Sequence, residues 1–578
     1  MSATTHAAHT AHAAHAAHAA ATIVLPHIRY LAILPELVML GGAVALLGVS
    51  ALVRRPLRTT VATVATVVVS LTSFGFAWWQ WVDVQDHGPY TAIAHAVVVD
   101  GFSAFVAILV SAAMALSALV GDAYVRRERA SGVEMHVLAM VSASGAMIMG
   151  AANDLVLVFL GLEILSIALY VLTALNYRRA ASGEAALKYF VLGGFSSAIF
   201  VYGIALTYGA TGTTNLTQIA DFLSKNVIVS DGVLLAGLSL LLVGFAFKVA
   251  AVPFHMWTPD VYQGSPSPIT GFMAAVAKVG GFAALLRVFV SSFGVLRADW
   301  QPVIYAIAVL TLLLGAGLAV VQRDIKRMLA YSSINHAGFI LLGLQAANAA
   351  GVSGALYYLF TYTFMVIGSF AVITLLGRRG DASHDIAGYR GLASRQPLLA
   401  FAFAVLLLAQ AGVPFTTGFL AKLQVVSAAV DVHSVPLAVI AMVSAALAAF
   451  FYLRVAVLMY TPVRAATLAA GEEAPAGSLG AFGSVPPESG GLVVDAGGSV
   501  SPSVVGRMNA GLLLDDAPVA TLDDDLIGGE AEDPASIVKV PVTVVVVIAV
   551  CLAVTIVFGI VPAPIVDFAH KATLLFLP

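Results

Sequence analysis

Four charged residues lie deep inside long apolar stretches of the sequence. They are Glu163, Lys248, Lys278 and Lys422. A charged side chain at the centre of a membrane-spanning helix costs roughly 2.5–3.5 kcal/mol on insertion, so such a residue usually marks a functional site. Burial favours the neutral form of a lysine and a nearby carboxylate favours the charged form, so a carboxylate that moves can make a lysine hold or release a proton. The four residues therefore predict a proton relay.

A structural ion pair is the alternative interpretation of these charges. Glu163 and one lysine could neutralise each other and only hold two helices together, as some buried ion pairs do. That pairing leaves two lysines without a carboxylate at equal depth, which favours the proton relay.

A break in the helical pattern separates Lys248 from Lys278. Irregular backbone at membrane depth is tolerated only where it is packed in protein or lines a wet cavity. Ala-Val-Pro-Phe at 251–254 recurs as Gly-Val-Pro-Phe at 412–415, close to Lys422. Proline-interrupted spans at corresponding positions of two halves are typical of transporters built from inverted repeats. We interpret the prolines of the first break as architectural: Pro253, Pro259, Pro266 and Pro268.

Two histidines lie close to this arrangement. His255 follows the first break, and His336 lies in the segment YSSINHAGF. Histidine titrates nearest to neutral pH and can bridge lysines through water, so both are candidate members of the relay. The alternatives stay open, because His255 can instead cap the broken helix and His336 can be an ordinary packing residue.

The composition indicates a polytopic membrane protein. Of the 578 residues, 60% are hydrophobic and only 10% are charged, against roughly 25% charged in soluble domains. Fourteen apolar segments approach the ~20 residues that a spanning helix needs, and we number them spans 1–14. They are approximately 28–53, 59–82, 96–121, 133–151, 154–175, 186–210, 233–252, 268–294, 301–321, 328–346, 354–377, 397–427, 434–460 and 538–562. The predicted fold class is an all-α polytopic membrane protein of about 14 transmembrane helices, with two inverted five-helix repeats that each contain a broken helix.

The spans and the polar segments between them define the predicted domains. In chain order these are a His/Ala-rich low-complexity tail (1–27), spans 1–3 (28–132), the first repeat of spans 4–8 (133–294), the second repeat of spans 9–13 (301–460), an acidic disordered cytoplasmic insertion (463–537), and the last helix with its tail (538–578). Histidine recurs every three residues from His6 to His18, a pattern that we interpret as low complexity with incidental metal affinity.

Basic residues concentrate in alternate loops and predict the orientation. The basic loops follow spans 1, 3, 5, 9 and 11, and they contain Arg54, Arg55, Arg58, Arg126, Arg127, Arg129, Arg178, Arg179, Arg323, Lys326, Arg327, Arg378, Arg379, Arg390 and Arg395. Because basic loops stay in the cytoplasm, both termini are expected on the outer side of a bacterial plasma (inner) membrane. The N-terminus lacks the basic region and short apolar core of a cleaved signal peptide, so span 1 is expected to be retained.

Two classes of function are excluded by the composition. The single cysteine, Cys551, cannot form an internal disulfide, a thiolate metal cage or an iron–sulfur site. The 28 basic residues are scattered between apolar runs, so no basic face exists to follow a phosphate backbone, and nucleic-acid binding is not expected.

Three stretches resemble the antiporter-like membrane subunits of respiratory complex I, the proton-translocating NADH:quinone oxidoreductase. They are FKVAAVPFHMWTPDVYQGSPSPITGFMAAVAK, YSSINHAGFILLGL and GVPFTTGFLAKL. PFHxWTPDVYxGxP is a specific signature, and the resemblance covers roughly residues 28–460 and 538–562. It implies that Glu163 and Lys248 form a pair, that Lys278 is the central lysine, and that Lys422 exchanges protons toward an exit.

The same resemblance implies the cofactors and partners. No flavin, iron–sulfur cluster, nicotinamide or metal is expected on this chain, whereas FMN, iron–sulfur clusters, NADH and quinone are expected on partner subunits. The partners would be neighbouring antiporter-like subunits and small membrane subunits of the complex I membrane arm, together with the lipid bilayer. The histidine-rich tail and the acidic insertion depart from the family pattern.

Two other functions remain open at this point. A subunit of a multi-subunit sodium/proton antiporter would share the helices and the charges without a redox partner, and co-purifying flavin and iron–sulfur absorbance distinguishes the two. A structural membrane subunit without its own ion path would need the four charges for assembly but not for pumping.

Overall fold

The computed structural model describes residues 28–54, 57–128, 132–226, 231–377, 381, 384–462 and 540–572. The histidine-rich tail and the acidic insertion at 463–537 lie outside the described residues, as do Arg55, Arg129, Arg378 and Arg379 of the basic loops. The predictions for those parts of the chain stay predictions.

The described residues form mainly helices, and twelve of these helices are long and apolar enough to cross a membrane. They correspond to spans 1–9, 11, 13 and 14. Their bounds are Leu34–Leu52, Arg58–His87, Gly101–Glu128, Gly132–Ala151, Leu155–Thr173, Ala180–Thr211, Gly232–Val249, Ser267–Ser292, Arg297–Val320, Ala349–Leu376, Val435–Tyr460 and Val542–Ile560.

Spans 10 and 12 are helical but differ from the others. Span 10 is the helix Ile325–Ala346, whose first turn carries Lys326 and Arg327. Span 12 consists of two helices, Pro397–Ala411 and Thr417–Asp431. The all-α polytopic fold class predicted from the sequence is therefore confirmed.

Both predicted helix breaks are present. The first helix of span 7 ends at Val249, followed by Ala250 at φ 61°, and the first helix of span 12 ends before Gly412 at φ 93°. A residue in the left-handed region ends a helix, and a proline shortly after it cannot continue the hydrogen-bond ladder. This end at Val249 lies three residues before the approximate end predicted at 252, and a second short helix, Trp257–Gly264, follows the break before span 8 begins.

Span 8 is the most deeply buried of these helices. The whole of its most apolar stretch is buried, so neighbouring spans enclose it. It contains two wider, π-type turns, at Met273–Ala277 and Arg287–Ser292. Such turns occur frequently at functional sites, and Lys278 follows the first of them directly.

Hydrogen bonds between loops sort the span ends into two sets. At one end, the amides of Asn153 and Asn215 both donate to the carbonyl of His95 at 2.9 Å, which joins the loops after spans 2, 4 and 6. At the other end, Arg127 donates to the carbonyl of Gly377 at 2.7 Å, which joins the ends of spans 3 and 11. This alternation is the arrangement that successive antiparallel spans require.

Shorter elements connect the spans. Strand β1, Tyr90–Ala92, pairs antiparallel with β2, Val97–Val99. The short helices are Tyr30–Ile33, Leu216–Lys225, Gly294–Leu296, Ile386–Tyr389, Leu392–Arg395 and Ala563–Lys571.

Candidate functional site

Lys278 lies in the middle of the described helices and is only 4% exposed. Its Nζ donates to the main-chain oxygen of Ser333 in span 10 at 2.5 Å and lies 5.6 Å from the ring centroid of Tyr362 in span 11. No carboxylate lies within ion-pair distance of Lys278 among the described residues. A carbonyl and an aromatic face are weaker partners for a cation than a carboxylate, so this lysine can exchange its proton without breaking an ion pair.

Lys422 is held by the break in span 12. Its Nζ donates to the main-chain oxygens of Gln410 at 3.0 Å and Ala411 at 2.6 Å. These are among the last carbonyls of the first half of span 12, which have no partner within their own helix and carry the negative end of its dipole. The Nζ also lies 5.0 Å from the ring centroid of Phe339. The break therefore positions the lysine and provides its hydrogen-bond acceptors.

His336 lies between these two lysines. Its ring nitrogens are 2.7 Å from the hydroxyl of Tyr358 and 3.1 Å from the hydroxyl of Tyr452. Toward Lys278, the rings of His336 and Tyr362 are 4.8 Å apart. His336 is 2% exposed, so the hydroxyls of protein side chains are the polar groups that it faces.

Tyr452 continues this line toward Lys422. Its hydroxyl lies 3.5 Å from the side-chain oxygen of Gln410 and also contacts the hydroxyl of Ser332. Gln410 in turn accepts the hydrogen bond of Lys422 through its main-chain oxygen. The central line, defined as Lys278, Tyr362, His336, Tyr452, Gln410 and Lys422, thus joins spans 8, 10, 11, 12 and 13 by a succession of buried polar side chains.

Lys248 lies beside the start of this line. Its Nζ donates to the hydroxyl of Ser166 at 2.7 Å, and the side chain is 5% exposed. Its stem packs against span 8 where Gly281 lacks a side chain, because a Cβ on Gly281 would be only 3.3 Å from the Lys248 Cγ. Gly281 is three residues, about one turn, after Lys278.

Glu163 makes no direct hydrogen bond or ion pair with Lys248 in the described structure. Its carboxylate accepts a hydrogen bond from the hydroxyl of Ser197, and its side chain is half-buried. Among the described residues, no ion pair within 4.0 Å joins Glu163 to a lysine. Lys248 donates instead to Ser166, which follows Glu163 by one turn. The direct pairing expected from the resemblance therefore stays a prediction.

His255 is separate from the central line. Its main-chain oxygen accepts a hydrogen bond from the Thr258 amide at 2.9 Å, in the first turn after the break. Its Nδ1 is buried and has no hydrogen-bond partner among the described residues. The structure therefore brings Lys278, His336 and Lys422 together and leaves His255 at the helix start.

The sequence analysis missed several members of this site. Ser166, Tyr362, Gln410 and Tyr452 are neutral, so a search for charges in apolar segments passes over them. It also passed over a charged pair: Arg287 of span 8 donates to both oxygens of Asp100 at 2.9 Å, and both residues are buried. The signal for Arg287 was available, because it is a charged residue inside a predicted span.

A second buried charge cluster lies at the end of the spans that carries the basic loops. Asp381 accepts from Lys326 Nζ at 3.2 Å and from the Ser267 hydroxyl at 3.0 Å, and lies 2.9 Å from His384 Nε2. Burial opposes its charge, but Lys326 and His384 outweigh burial and hold the pKa of the Asp381 carboxyl below its usual range. Burial lowers the pKa of His384. The cluster ties spans 8, 10 and 11 together at this end.

Comparisons with known proteins indicate one family. Residues 152–448 match the family described as NADH:quinone oxidoreductase/Mrp antiporter, TM. The NADH-quinone oxidoreductase subunit N of Trichlorobacter lovleyi (strain ATCC BAA-1151 / DSM 17278 / SZ) is 43% identical over 418 residues, which cover 72% of this chain and 84% of that protein.

Two solved structures show the same architecture. A chain of respiratory complex I from Thermus thermophilus with bound Aureothin is 26% identical, with a TM-score of 0.67, and the match covers 92% of this chain and 98% of that one. A chain of the Mrp complex from Dietzia sp. DQ12-45-1b shares the fold at 21% identity, with a TM-score of 0.73 over 93% of this chain and 97% of that one.

The matched segment contains the central line and its neighbours. Glu163, Lys248, Lys278 and Lys422 all lie within residues 152–448. Within the family, the form PDVYQG at 259–264 and a lysine rather than a glutamate at 422 predict a resemblance to subunit N, which the name of the Trichlorobacter relative confirms. The chain belongs to the NADH:quinone oxidoreductase/Mrp antiporter family of membrane subunits.

Proposed function

We propose that this chain is a proton-translocating membrane-arm subunit of NADH:quinone oxidoreductase, of the subunit N type. The observation that carries the proposal is the central line, in which His336, Tyr452 and Gln410 lead to Lys422. Lys278 meets His336 through the ring of Tyr362. Buried ionisable residues in a membrane are expensive and line ion paths. The name of the Trichlorobacter relative and the match to complex I support the same activity.

The proton enters the central line from Lys248. Ser166 accepts from Lys248 and follows Glu163 by one turn, so a shift of Glu163 changes the charge that faces Lys248. When the carboxylate moves away, the charged form of Lys248 loses its stabilisation and gives a proton toward Lys278. His336 and Tyr452 then carry the proton to Lys422, which releases it at the break in span 12.

Glu163 is the member of the relay that responds to partner subunits. It is half-buried, whereas Lys248 is 5% exposed and Lys278 is 4% exposed. A neighbouring membrane-arm subunit that packs on this side can therefore contact Glu163, whereas it cannot reach the more deeply buried Lys248 and Lys278. FMN, iron–sulfur clusters, NADH and quinone belong to partner subunits in this proposal, and electron transfer there drives the movement.

The basic loops support the orientation expected in the bacterial inner membrane. The described basic loops that meet at one end include Arg127, Arg179 and Lys326, which lie beside Gly377 and Asp381. Basic loops stay on the cytoplasmic side. Both termini then lie outside.

The test is the Lys248→Ala variant of the assembled complex in sealed membrane vesicles. We expect NADH-driven proton uptake through the central line to be lost, because the entry lysine is gone, while the complex still assembles. Lys225→Ala is the matched control, because Lys225 lies on the surface in an ion pair with Asp221 at 2.6 Å. Unchanged proton uptake in a fully assembled Lys248→Ala complex contradicts the mechanism.

A second candidate function is a subunit of a multi-subunit sodium/proton antiporter, which the fold shared with the Mrp complex favours. The central line would then be driven by an ion gradient rather than by redox chemistry. Purification of the tagged chain in mild detergent separates the two functions. Flavin and iron–sulfur absorbance that NADH reduces supports the complex I subunit, and a colourless particle of small membrane subunits supports the antiporter.

A further inference from the structure

Span 2 has its polar residues on the buried side and its apolar residues on the exposed side. The residues Thr63, Thr66, Ser70, Ser73 and Gln80 are each at most 5% exposed. Val64, Val68, Leu71 and Trp78, on the other side, are 49–57% exposed. Spacings of three and four residues place the polar residues on one helix face, so a row of hydroxyl groups runs along the inside of this span.

One end of the row lies beside a buried glutamate. The Ser73 hydroxyl donates to the main-chain oxygen of Pro35 at 2.9 Å and accepts from the Ser111 hydroxyl of span 3 at 3.1 Å. The next residue in span 1 is Glu36, which is 7% exposed. Beyond this point, the Gln80 amide donates to the carbonyls of Leu31 and Ala32, which closes the row at this end.

The other end of the row reaches a second pair of titratable residues. The Thr63 hydroxyl donates to Asp122 Oδ1 at 3.1 Å and lies 3.2 Å from His136 Nε2. Asp122 is paired at 2.9 Å with Arg126, whose side chain is 51% exposed. Arg126 belongs to a basic loop, so this end connects to the side that carries the positive charges.

Three buried polar atoms of the row have no hydrogen-bond partner among the described residues. They are Glu36 Oε2, Thr66 Oγ1 and His136 Nδ1. Buried polar atoms almost always have a partner, and internal water supplies it where side chains do not. Ala139 and Ala143, about one and two turns after His136, are both buried and small.

We propose that spans 1–4 enclose a second proton path, separate from the central line. We define the span 2 path as Asp122, His136, Thr63, Thr66, Ser70, Ser73 and Glu36. From Thr63 to Ser73 the path covers about 15 Å along the helix, and water bridges the hydroxyls that are too far apart to bond directly.

The proton balance of the path is simple. A proton enters at the Asp122–His136 end, each hydroxyl or water gives up one proton as it takes one, and Glu36 is protonated at the far end. The groups between are unchanged afterwards. Glu36 is then the loading site: it gives its proton up to the opposite surface past Gln80, returns to the carboxylate and can be loaded again. The inference rests on the proposed function, because the protons that it carries are those that the complex pumps.

Four variants of the purified complex in liposomes test this path by the number of protons translocated per NADH oxidised. We expect Glu36→Gln and Thr66→Val to lower this number, because the first removes the loading site and the second removes a link without changing the side-chain shape. Thr66→Ser keeps a hydroxyl and is expected to restore it. Thr72→Val is the matched control, because Thr72 lies on the exposed side of the same helix, away from the path.

The outcomes are distinct. The path is supported if Glu36→Gln and Thr66→Val translocate fewer protons per NADH while Thr66→Ser and Thr72→Val translocate the normal number. If all four assembled variants translocate as many protons per NADH as the wild type, the path is overturned, and the row of hydroxyls only packs helices. An equal loss in Thr72→Val also overturns it, because the effect is then general to span 2. If Glu36→Gln does not assemble, the three threonine variants decide the question alone. Lys278→Ala tests the central line in the same assay, so either path can fail independently of the other.

Discussion

Tyr452 provides the sharpest test of the central line, because a single hydroxyl group joins three spans. It lies 3.1 Å from His336 Nε2 and 3.5 Å from Gln410 Oε1, and it contacts the hydroxyl of Ser332. Tyr452→Phe removes this oxygen and keeps the aromatic ring. The ring packs against Phe451 at 4.4 Å between centroids, so the variant is expected to assemble normally.

The magnitude follows from the number of hydrogen bonds that are lost. Only the contact with His336 Nε2, at 3.1 Å, is within the normal hydrogen-bond range, and such a bond is worth about 0.5–1.5 kcal/mol. Its loss corresponds to a slowing of proton transfer by about 2- to 13-fold. His336 is 2% exposed, so bulk water cannot replace the missing hydroxyl.

The assay is NADH-driven acidification of sealed inverted vesicles, followed with a pH-sensitive dye and normalised to NADH oxidation. The part of the signal that Lys278→Ala abolishes defines the contribution of the central line. We expect Tyr452→Phe to lose most of that part. Tyr460→Phe is the control, because Tyr460 ends the same helix and is 54% exposed. If Tyr452→Phe pumps like the wild type while Lys278→Ala does not, protons reach Lys422 by another route.

Two further predictions concern the stability of the scaffold around the site. Gly418→Ala places a Cβ 1.9 Å from the main-chain oxygen of Ala409 across the break in span 12. Because overpacking costs about 1–3 kcal/mol, we expect a lower thermal midpoint and a loss of pumping through the displaced Lys422. Gly209→Ala is the control, because its Cβ meets no atom within 4 Å, and it should change neither the midpoint nor pumping. The second prediction is acid sensitivity of the Asp381 cluster. The pKa of His384 is lowered by burial, so the unfolded chain binds a proton that the folded chain does not, and stability is lost as the pH falls below the ordinary value of about 6.5. The pKa of Asp381 is also lowered, chiefly by Lys326 against the effect of burial, so a further loss begins only below about pH 4. We expect the thermal midpoint of the purified complex to be lower at pH 5.5 than at pH 7.5, and His384→Gln to reduce that difference; the same difference in both proteins contradicts the role of His384.

The fold was largely accessible from the sequence, because the length and polarity of each span are local properties. A helix across the bilayer needs about 20 apolar residues, and the fourteen segments that meet this need all form helices, two of them broken where proline follows a left-handed residue. The second half of span 7 was missed, since Trp257–Gly264 is too short and too polar to stand out as a span. The paired breaks were visible because Val-Pro-Phe occurs twice.

The site was accessible only in part. Lys278 and Lys422 were identified because a charge in an apolar segment is a signal that needs no partner. His336 was left between two interpretations, and the contacts with Tyr358 and Tyr452 at 2.7 and 3.1 Å favour the relay. His255 lacks such contacts among the described residues.

The sequence by itself determined that this protein spans the membrane many times, which of its residues are charged at depth, and to which family it belongs. These properties depend on residue type, segment length and motif. Only the tertiary structure decided that Tyr452 of span 13 meets His336 of span 10, that Gln410 lies between them and Lys422, and that hydroxyls of span 2 contact His136 and the main chain next to Glu36. Such contacts join residues that are up to 116 positions apart, and a neutral tyrosine, serine or glutamine has no local property that distinguishes a proton-path residue from one that packs a helix.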